Sequence, residues 1–383
     1  MIGTIYVNER AARELKAGAL HVYAQNVVQA EAKPGDWVQI KQGTETLGWG
    51  FYNPKSAITV RLFTWEEETP EEVLARRLEE TAKWKGRLYG DTYRWIFAEG
   101  DLVPGLVIDR FRDTAVIKNQ TLGLEKYLKF IAEEMKKYGV KHTYLKGKGG
   151  GRRKEGLPQV ERWLSGGRKE PVVIKEGNAQ FYVDVVGGQK TGFYLDQREN
   201  RIELERYVEG GMKVLDVFAS TGGFGIHAAV RGADVTFVEL GRTASKMIKR
   251  NIRLNGVKGG IITADAVETM KKMARREETY DIVVLDPPAL AKGRADMNRA
   301  KKMYFLVNQL GLKLVRAGGI LVSCSCSHPI TPRDFLGIVK GAAEKEGRKI
   351  QMLGALRGQA PDHTVYMPQP ETQYLKCGFF RVE

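Results

Sequence analysis

Hydrophobic and polar positions follow three rhythms along the chain. Up to residue 68 short runs alternate apolar with polar residues, most clearly in GDWVQIK (Gly35 to Lys41) and ITVRLFTW (Ile58 to Trp65), with a turn at Asn53-Pro54 between them. The spacing predicts strands, and residues 1–68 read as a small β-barrel. Residues 69–185 open with TPEEVLARRLEETAKW. There Thr69 as N-cap, Pro70 at the first helical position and Glu72 three residues after the cap predict a helix start. Strands at Leu106 to Arg110 and Thr114 to Lys118 and a helix at Leu124 to Tyr138 complete a central α+β domain. From about Phe181 strand and helix alternate. KVLDVF, DVTFVEL, GIITAD, DIVVLD and GILVSCS are apolar runs separated by helical segments, the signature of a mostly parallel, doubly wound α/β sheet assigned to residues 186–383.

Charge adds a partner to this picture. Against 46 Asp and Glu stand 61 Lys and Arg, a net charge of +15, which draws a protein towards polyanions, whether RNA, DNA or an anionic membrane, with nucleic acid favoured. No stretch approaches the ~20 apolar residues of a membrane span. The N-terminal MIGTIYVNERAARELK has no apolar signal region. Three cysteines make no disulfide framework, and C-x-C without nearby histidines is a poor zinc site, so the expectation is a cytoplasmic protein without metal. A glycine-rich basic stretch, Lys146 to Lys169, reads as a solvated loop or as a phosphate-contacting one through Arg152, Arg153 and Lys154.

Two of the three cysteines stand in SCSCSH, Ser323 to His328, directly after the apolar Ile320-Leu321-Val322. That places thiols at the carboxyl edge of a sheet, where open α/β folds bind ligands. The same edge carries KVLDVFASTGGFGIHAA (Lys213 to Ala229), a tight turn of Ser220, Thr221, Gly222 and Gly223 leading into a helix at about Phe224. Glu239, at the end of the next strand, is placed to accept ribose hydroxyls. Asp265 can receive an adenine amino group, and the fourth strand ends in Asp286-Pro287-Pro288. A nicotinamide dinucleotide would want G-x-G-x-x-G for its pyrophosphate, which is absent. Asp216 before the turn instead suits the positively charged methionine part of S-adenosylmethionine.

DVFASTGGFG, VLDPPALAK and SCSCSH resemble the first, fourth and sixth motifs of class I RNA methyltransferases. KTGFYLDQRENR (Lys190 to Arg201), EGDLVPGLVIDRF, RRKEGL, PDHTVYMP and YLKCGFFRV extend the resemblance over essentially the whole chain to one group, the RlmI-like family. That family joins an RNA-binding PUA domain to a Rossmann-like methyltransferase domain and makes 5-methylcytosine in large-subunit ribosomal RNA. The resemblance implies Cys326 as the nucleophile that adds to cytosine; Cys324, two residues earlier with the same parity but deeper in the sheet, is the alternative, and Cys377 reads as core filler. It implies Asp286 beside the donor and the base, Gln197 as a polar cofactor contact, and Lys190, Tyr194, Arg198, Arg201 and Pro287 bordering substrate. Tyr304 and Asn308 match family positions and are equally explained by packing, and His328 is incidental. The chain departs from the family at Ala19-Leu20-His21, where HPW is common, and at Ser220, where tyrosine is common. Ala289 cannot stack on a base, which argues against adenine amino methylation. Methylation of transfer RNA cytosine or ribosomal guanine, or a non-catalytic assembly factor, are the alternatives, and a homodimer is compatible with the sequence.

Overall fold

The computed structural model describes every residue except Met1 and Lys292, and Arg294 by its backbone alone. Lys292 closes VLDPPALAK, so that end of the segment lies outside the described residues. The chain is mixed α/β and divides into two compact units. One comprises Met1–Val172, Val183–Phe193 and Pro361–Thr372; the other comprises Val173–Tyr182, Tyr194–Ala360 and Gln373–Glu383.

In the first unit a curled six-stranded sheet runs in the order His21–Tyr23, Ile58–Thr64, Glu45–Tyr52, Trp37–Gln42, Gly3–Val7, Val27–Glu31. The alternating N-terminal pattern predicts a small β-barrel and the resemblance a PUA-like one; the sheet is a curled, PUA-like half-barrel. A five-stranded sheet follows in the order Val160–Ser165, His142–Gly147, Thr114–Asn119, Leu106–Phe111, Thr92–Phe97. Trp37, Trp49, Phe51 and Phe63 of the first sheet share one core with Trp95, Ile108 and Ile117 of the second. A buried carboxylate reinforces that apolar contact. Glu155 accepts hydrogen bonds from Asn53 Nδ2 at 2.9 Å, Ser56 Oγ at 2.5 Å and Arg61 Nη2 at 2.8 Å. The helix Pro70–Tyr89 begins as expected: Thr69 Oγ1 accepts from the Glu72 amide, and the Glu72 carboxylate accepts from the Thr69 amide.

The basic stretch expected as a loop is instead ordered, with a short helix at Gly150–Lys154 and the edge strand Val160–Ser165. Arg152 is a correction to the expected phosphate contacts. It is buried, its guanidinium donates to both Glu125 oxygens at 2.9 and 3.0 Å, and it also reaches the carbonyls of Asn119 and Pro158. Arg153 and Lys154 are exposed.

The second unit opens with the hairpin of Val172–Glu176 and Ala179–Val183 and is built on a seven-stranded sheet. Its strands are Lys213–Val217, Asp234–Val238, Gly260–Ile262, Tyr280–Leu285, Val315–Ser325, Ile350–Met352 and Lys376–Val382. Across the sheet they stand third, second, first, fourth, fifth, seventh, sixth. The first five are parallel, and Lys376–Val382 runs antiparallel between its two neighbours. The order reverses between Lys213–Val217 and Tyr280–Leu285, and such a switch point leaves a crevice at the strands' carboxyl ends. This is the Rossmann-like sheet predicted from the alternation of apolar runs. Among the described residues no helix is long and apolar enough to cross a membrane.

Candidate active site

The strand Lys213–Val217 delivers its last residues into a strained turn. Phe218 and Ser220 adopt positive φ (63° and 52°), as does Gly222 (85°), before the helix Gly223–Val230 begins. Glu239, on the neighbouring strand's loop, fixes that turn: one oxygen accepts the Ser220 amide at 2.8 Å and the other the Gly241 amide at 2.7 Å. Asp216 is buried, and its carboxylate accepts the Gly225 amide at 2.8 Å. Gly225 is required by close packing, since a Cβ there would lie 2.2 Å from the Phe237 ring. Asp265 caps the helix Ala266–Arg275 by accepting the Glu268 amide at 2.9 Å and remains exposed. Burial pushes the Asp216 carboxyl up to about 7; Asp286 and Glu239 add to the shift, while the Gly225 amide and Arg201 oppose it. Asp286 and Glu239 thus lie near enough for their charges to act on Asp216, and such a grouping of carboxyls favours a cation.

The segment before the sheet closes on this loop. Gln197 is buried and donates to Asp286 Oδ1 at 3.0 Å, while Asn200 donates to Gln197 Oε1 at 2.6 Å. Sequence reasoning placed Gln197 and Asp286 at one site, and the structure brings them together. Arg198 and Arg201 are corrections, because both are buried against Glu176 rather than turned to a substrate. Arg201 Nε lies 2.6 Å and Arg198 Nε 3.3 Å from its oxygens, and Arg201 also donates to the Tyr194 carbonyl. His227 Nε2 completes the cluster at 3.1 Å. Burial alone would raise the Glu176 carboxyl, yet Arg201 and His227 hold it far below the usual carboxylate range. Sequence reasoning missed Glu176, since its partners lie more than twenty residues downstream. It also missed Asn251, whose side chain donates to the Thr221 carbonyl at 2.8 Å.

The three thiols occupy different surroundings. Cys324 is buried and donates to Cys377 Sγ at 3.1 Å; burial and that partner push its thiol well above the ordinary range. Cys326, just past the end of the strand Val315–Ser325, is half-buried with its Sγ 3.9 Å from the Pro287 carbonyl. Pro287 is buried and Tyr194 half-buried, and burial first, then the charges of Asp196, Asp286, Cys326 and Glu239, push the Tyr194 phenol up to about 12. Lys376, another residue missed from sequence, is buried and donates to the carbonyls of Ser327 at 2.7 Å and Tyr374 at 2.8 Å. Burial lowers its ammonium to about 8, and Cys326 opposes that shift. Tyr304 is buried and hydrogen-bonds Ser327 Oγ at 2.9 Å, Asn308 donates to the Tyr304 carbonyl, and His328 is exposed. Lys190 lies in the first unit, where it lines a cavity with other lysines.

An S-adenosylmethionine-dependent methyltransferase family matches residues 153–356, and a PUA-like domain family matches residues 5–65. A protein of Methanocaldococcus jannaschii named "putative ribosomal RNA large subunit methyltransferase" is 37% identical over 396 residues, covering 100% of both chains. The ribosomal RNA large subunit methyltransferase I of Alteromonas mediterranea is 33% identical over 382 residues, covering 97% of this chain and 93% of its own. Among solved structures, a "putative methyltransferase complexed with SAH" shares the fold with a TM-score of 0.83 at 20% identity, over 100% of both chains.

Asp216 makes a pH-dependent contribution to stability. Its folded pKa lies above its ordinary 3.8, so the folded state holds the proton longer, and stability drains away as pH rises from there through about 7. Asp216→Asn should raise the melting temperature of the cofactor-free protein more at pH 8 than at pH 5. Equal gains at the two pH values, read by calorimetry, would contradict this reading.

Proposed function

The chain belongs to the RlmI-like family of S-adenosylmethionine-dependent methyltransferases with an N-terminal PUA-like domain, and from that premise we propose that it methylates carbon 5 of a cytosine in large-subunit ribosomal RNA. Two kinds of observation support the RNA. Relatives aligned over nearly their whole lengths carry that substrate in their names, and the +15 charge suits a polyanion. The observation that carries the choice of atom is the pair of thiols. Cys326 stands half-buried beside Pro287, while Cys324 is locked into the core against Cys377.

The crevice fits the cofactor by charge and by shape. Asp216, Asp286 and Glu239 favour a cation, and the turn at Gly222 keeps backbone rather than side chain along the crevice. Glu239 would hold the ribose, Asp265 the adenine amino group, and Ser220, Thr221, Gly223 and Phe224 would border the methionine part. S-adenosylmethionine supplies an electrophilic methyl group on its sulfonium. Carbon 5 of cytosine is too weak a nucleophile to take it unaided. The Cys326 thiolate adds to carbon 6, which moves electron density to carbon 5. Asp286, held by Gln197, donates a proton to ring nitrogen 3 and assists that addition. Once carbon 5 carries the methyl group, loss of its proton to a base expels the thiolate, nitrogen 3 returns its proton to Asp286, and the ring is restored. The cytosine must leave its stack to reach this site. Lys376 favours the thiolate, because its buried ammonium donates to the Ser327 and Tyr374 carbonyls and its charge interacts with that of Cys326.

Cys326→Ala should lose roughly 10³-fold or more in methyl transfer, on the scale of losing a catalytic nucleophile, and still bind S-adenosylmethionine by calorimetry. Equal loss of binding and turnover would make the cysteine structural. In a deletion strain, nucleoside mass spectrometry of ribosomal RNA should show one 5-methylcytosine missing; loss of a different methylated base would replace this reading. Lys376→Met should move the pH midpoint of Cys326 alkylation by iodoacetamide upward by about one unit, with Lys376→Arg close to native. An unchanged midpoint in Lys376→Met would remove the lysine from the account.

A further inference from the structure

The five-stranded sheet of the first unit gathers lysines where sheet chemistry disfavours them. Thr114–Asn119 and His142–Gly147 are parallel neighbours, and the register that pairs Leu145 with Ile117 brings Lys146 beside Lys118. Like charges on adjacent strands repel, and the repulsion grows as water is removed. Lys146 is nevertheless buried and Lys118 half-buried. Both ammonium groups are held below their ordinary range, first by burial and, for Lys118, next by the charges of Lys190 and Arg94. Lys146 Nζ donates to the Gly188 carbonyl.

These side chains do not close over one another. With Lys148, Lys190, Glu161 and the backbone at Gly187-Gly188 they line a cavity of about 350 Å³. Glu161 is the one carboxylate in that lining, and it is engaged by Lys148 at 2.9 Å. Four lysines and one carboxylate line the space, so the lining carries a net positive charge, with Asp109 and Asp184 attracting Lys118 and Lys146 from outside it. An arrangement that costs folding energy and leaves positive charge around an open space is explained by an anion that fills it.

We propose that this cavity is a binding site for the phosphodiester backbone of the RNA strand. The proposal rests on the reading of the protein as an RNA methyltransferase and adds to it a defined place for phosphate. It also moves the expected electrostatic contact. Arg152 is occupied with Glu125, whereas Lys118 and Lys146 from neighbouring strands and Lys190 from a turn converge. A cavity of this size admits more than an isolated inorganic ion, and lysine is a common phosphate partner.

The test uses the full-length protein and a single-stranded RNA oligonucleotide, with affinity measured by fluorescence anisotropy across a range of salt. Lys118→Gln, Lys148→Gln and Lys190→Gln should each weaken binding and reduce the slope of log affinity against log salt by about 0.7. Glu161→Gln should strengthen binding, because it removes the lining's counter-charge. S-adenosylmethionine affinity, read by calorimetry, should stay at the native value in all four and so report an intact fold. Native affinity and slope in the three lysine variants would overturn the proposal. Competition by free inorganic phosphate as strong as that by RNA would overturn it in favour of a small-anion site. A native protein that binds RNA through these lysines yet transfers no methyl group would contradict the methyltransferase reading and leave the phosphate site standing.

Discussion

The second unit is organised around a carboxylate whose side chain has no exposed surface. Glu176, on the hairpin ahead of the seven-stranded sheet, is enclosed by Arg198, Arg201 and His227. Two of these partners come from the helix Arg198–Leu204 and one from the helix that follows the glycine turn, Gly223–Val230. Breaking a buried ion pair by removing one partner typically costs about 3–5 kcal/mol, because the other charge is left stranded. The cluster therefore fixes three segments against one another. Arg201 extends the constraint to the site by holding the Tyr194 carbonyl, and a Cβ on Gly223 would come within 3.0 Å of its side chain. Gln197 and Asn200 belong to the same stretch of chain and carry that order to Asp286.

On this scaffold two electrostatic fields of opposite sign lie close to the proposed chemistry. Burial first, and then the charges of Asp286 and Glu239, push the Asp216 carboxyl up to about 7, so this end of the site disfavours further negative charge. On the strand Lys376–Val382, Lys376 carries a buried ammonium that donates to the Ser327 carbonyl and whose charge interacts with that of Cys326. A cationic donor and an anionic nucleophile require this division, since each would be disfavoured in the other's surroundings. The antiparallel strand Lys376–Val382 supplies both Lys376 and Cys377, so one strand provides the charge that acts on Cys326 and the partner that retires Cys324 into the core.

Local signals in the sequence were enough for much of the fold. The capping box at Thr69, the turn after Tyr52 and the five parallel strands of the last domain each depend on neighbours within a few residues. What the sequence did place is position: Asp216, Glu239, Asp286 and Cys326 stand at or just past the ends of parallel strands, as their apolar runs predict. What escaped depends on partners far apart in the chain. Arg198 and Arg201 look like exposed helix arginines until the hairpin brings Glu176 to them, and Arg152 looks like a loop arginine until Glu125 closes on it. Lys118 gives no sign of importance alone. Its meaning comes from the parallel register that sets Lys146 next to it. The run Val160–Ser165 was hidden by its own charges, which gave an edge strand the composition of a loop.

The central claim is that Cys326 forms a covalent bond to the cytosine it helps to methylate. The most direct measurement replaces the target cytosine of the RNA with 5-fluorocytosine, which has no carbon-5 proton to lose, so the adduct cannot resolve after methyl transfer. The account predicts a complex that survives denaturing electrophoresis, forms only with S-adenosylmethionine present, and maps by mass spectrometry to the peptide containing Cys326. A protein that methylates the unmodified RNA yet forms no such complex, or one attached through another residue, would contradict it.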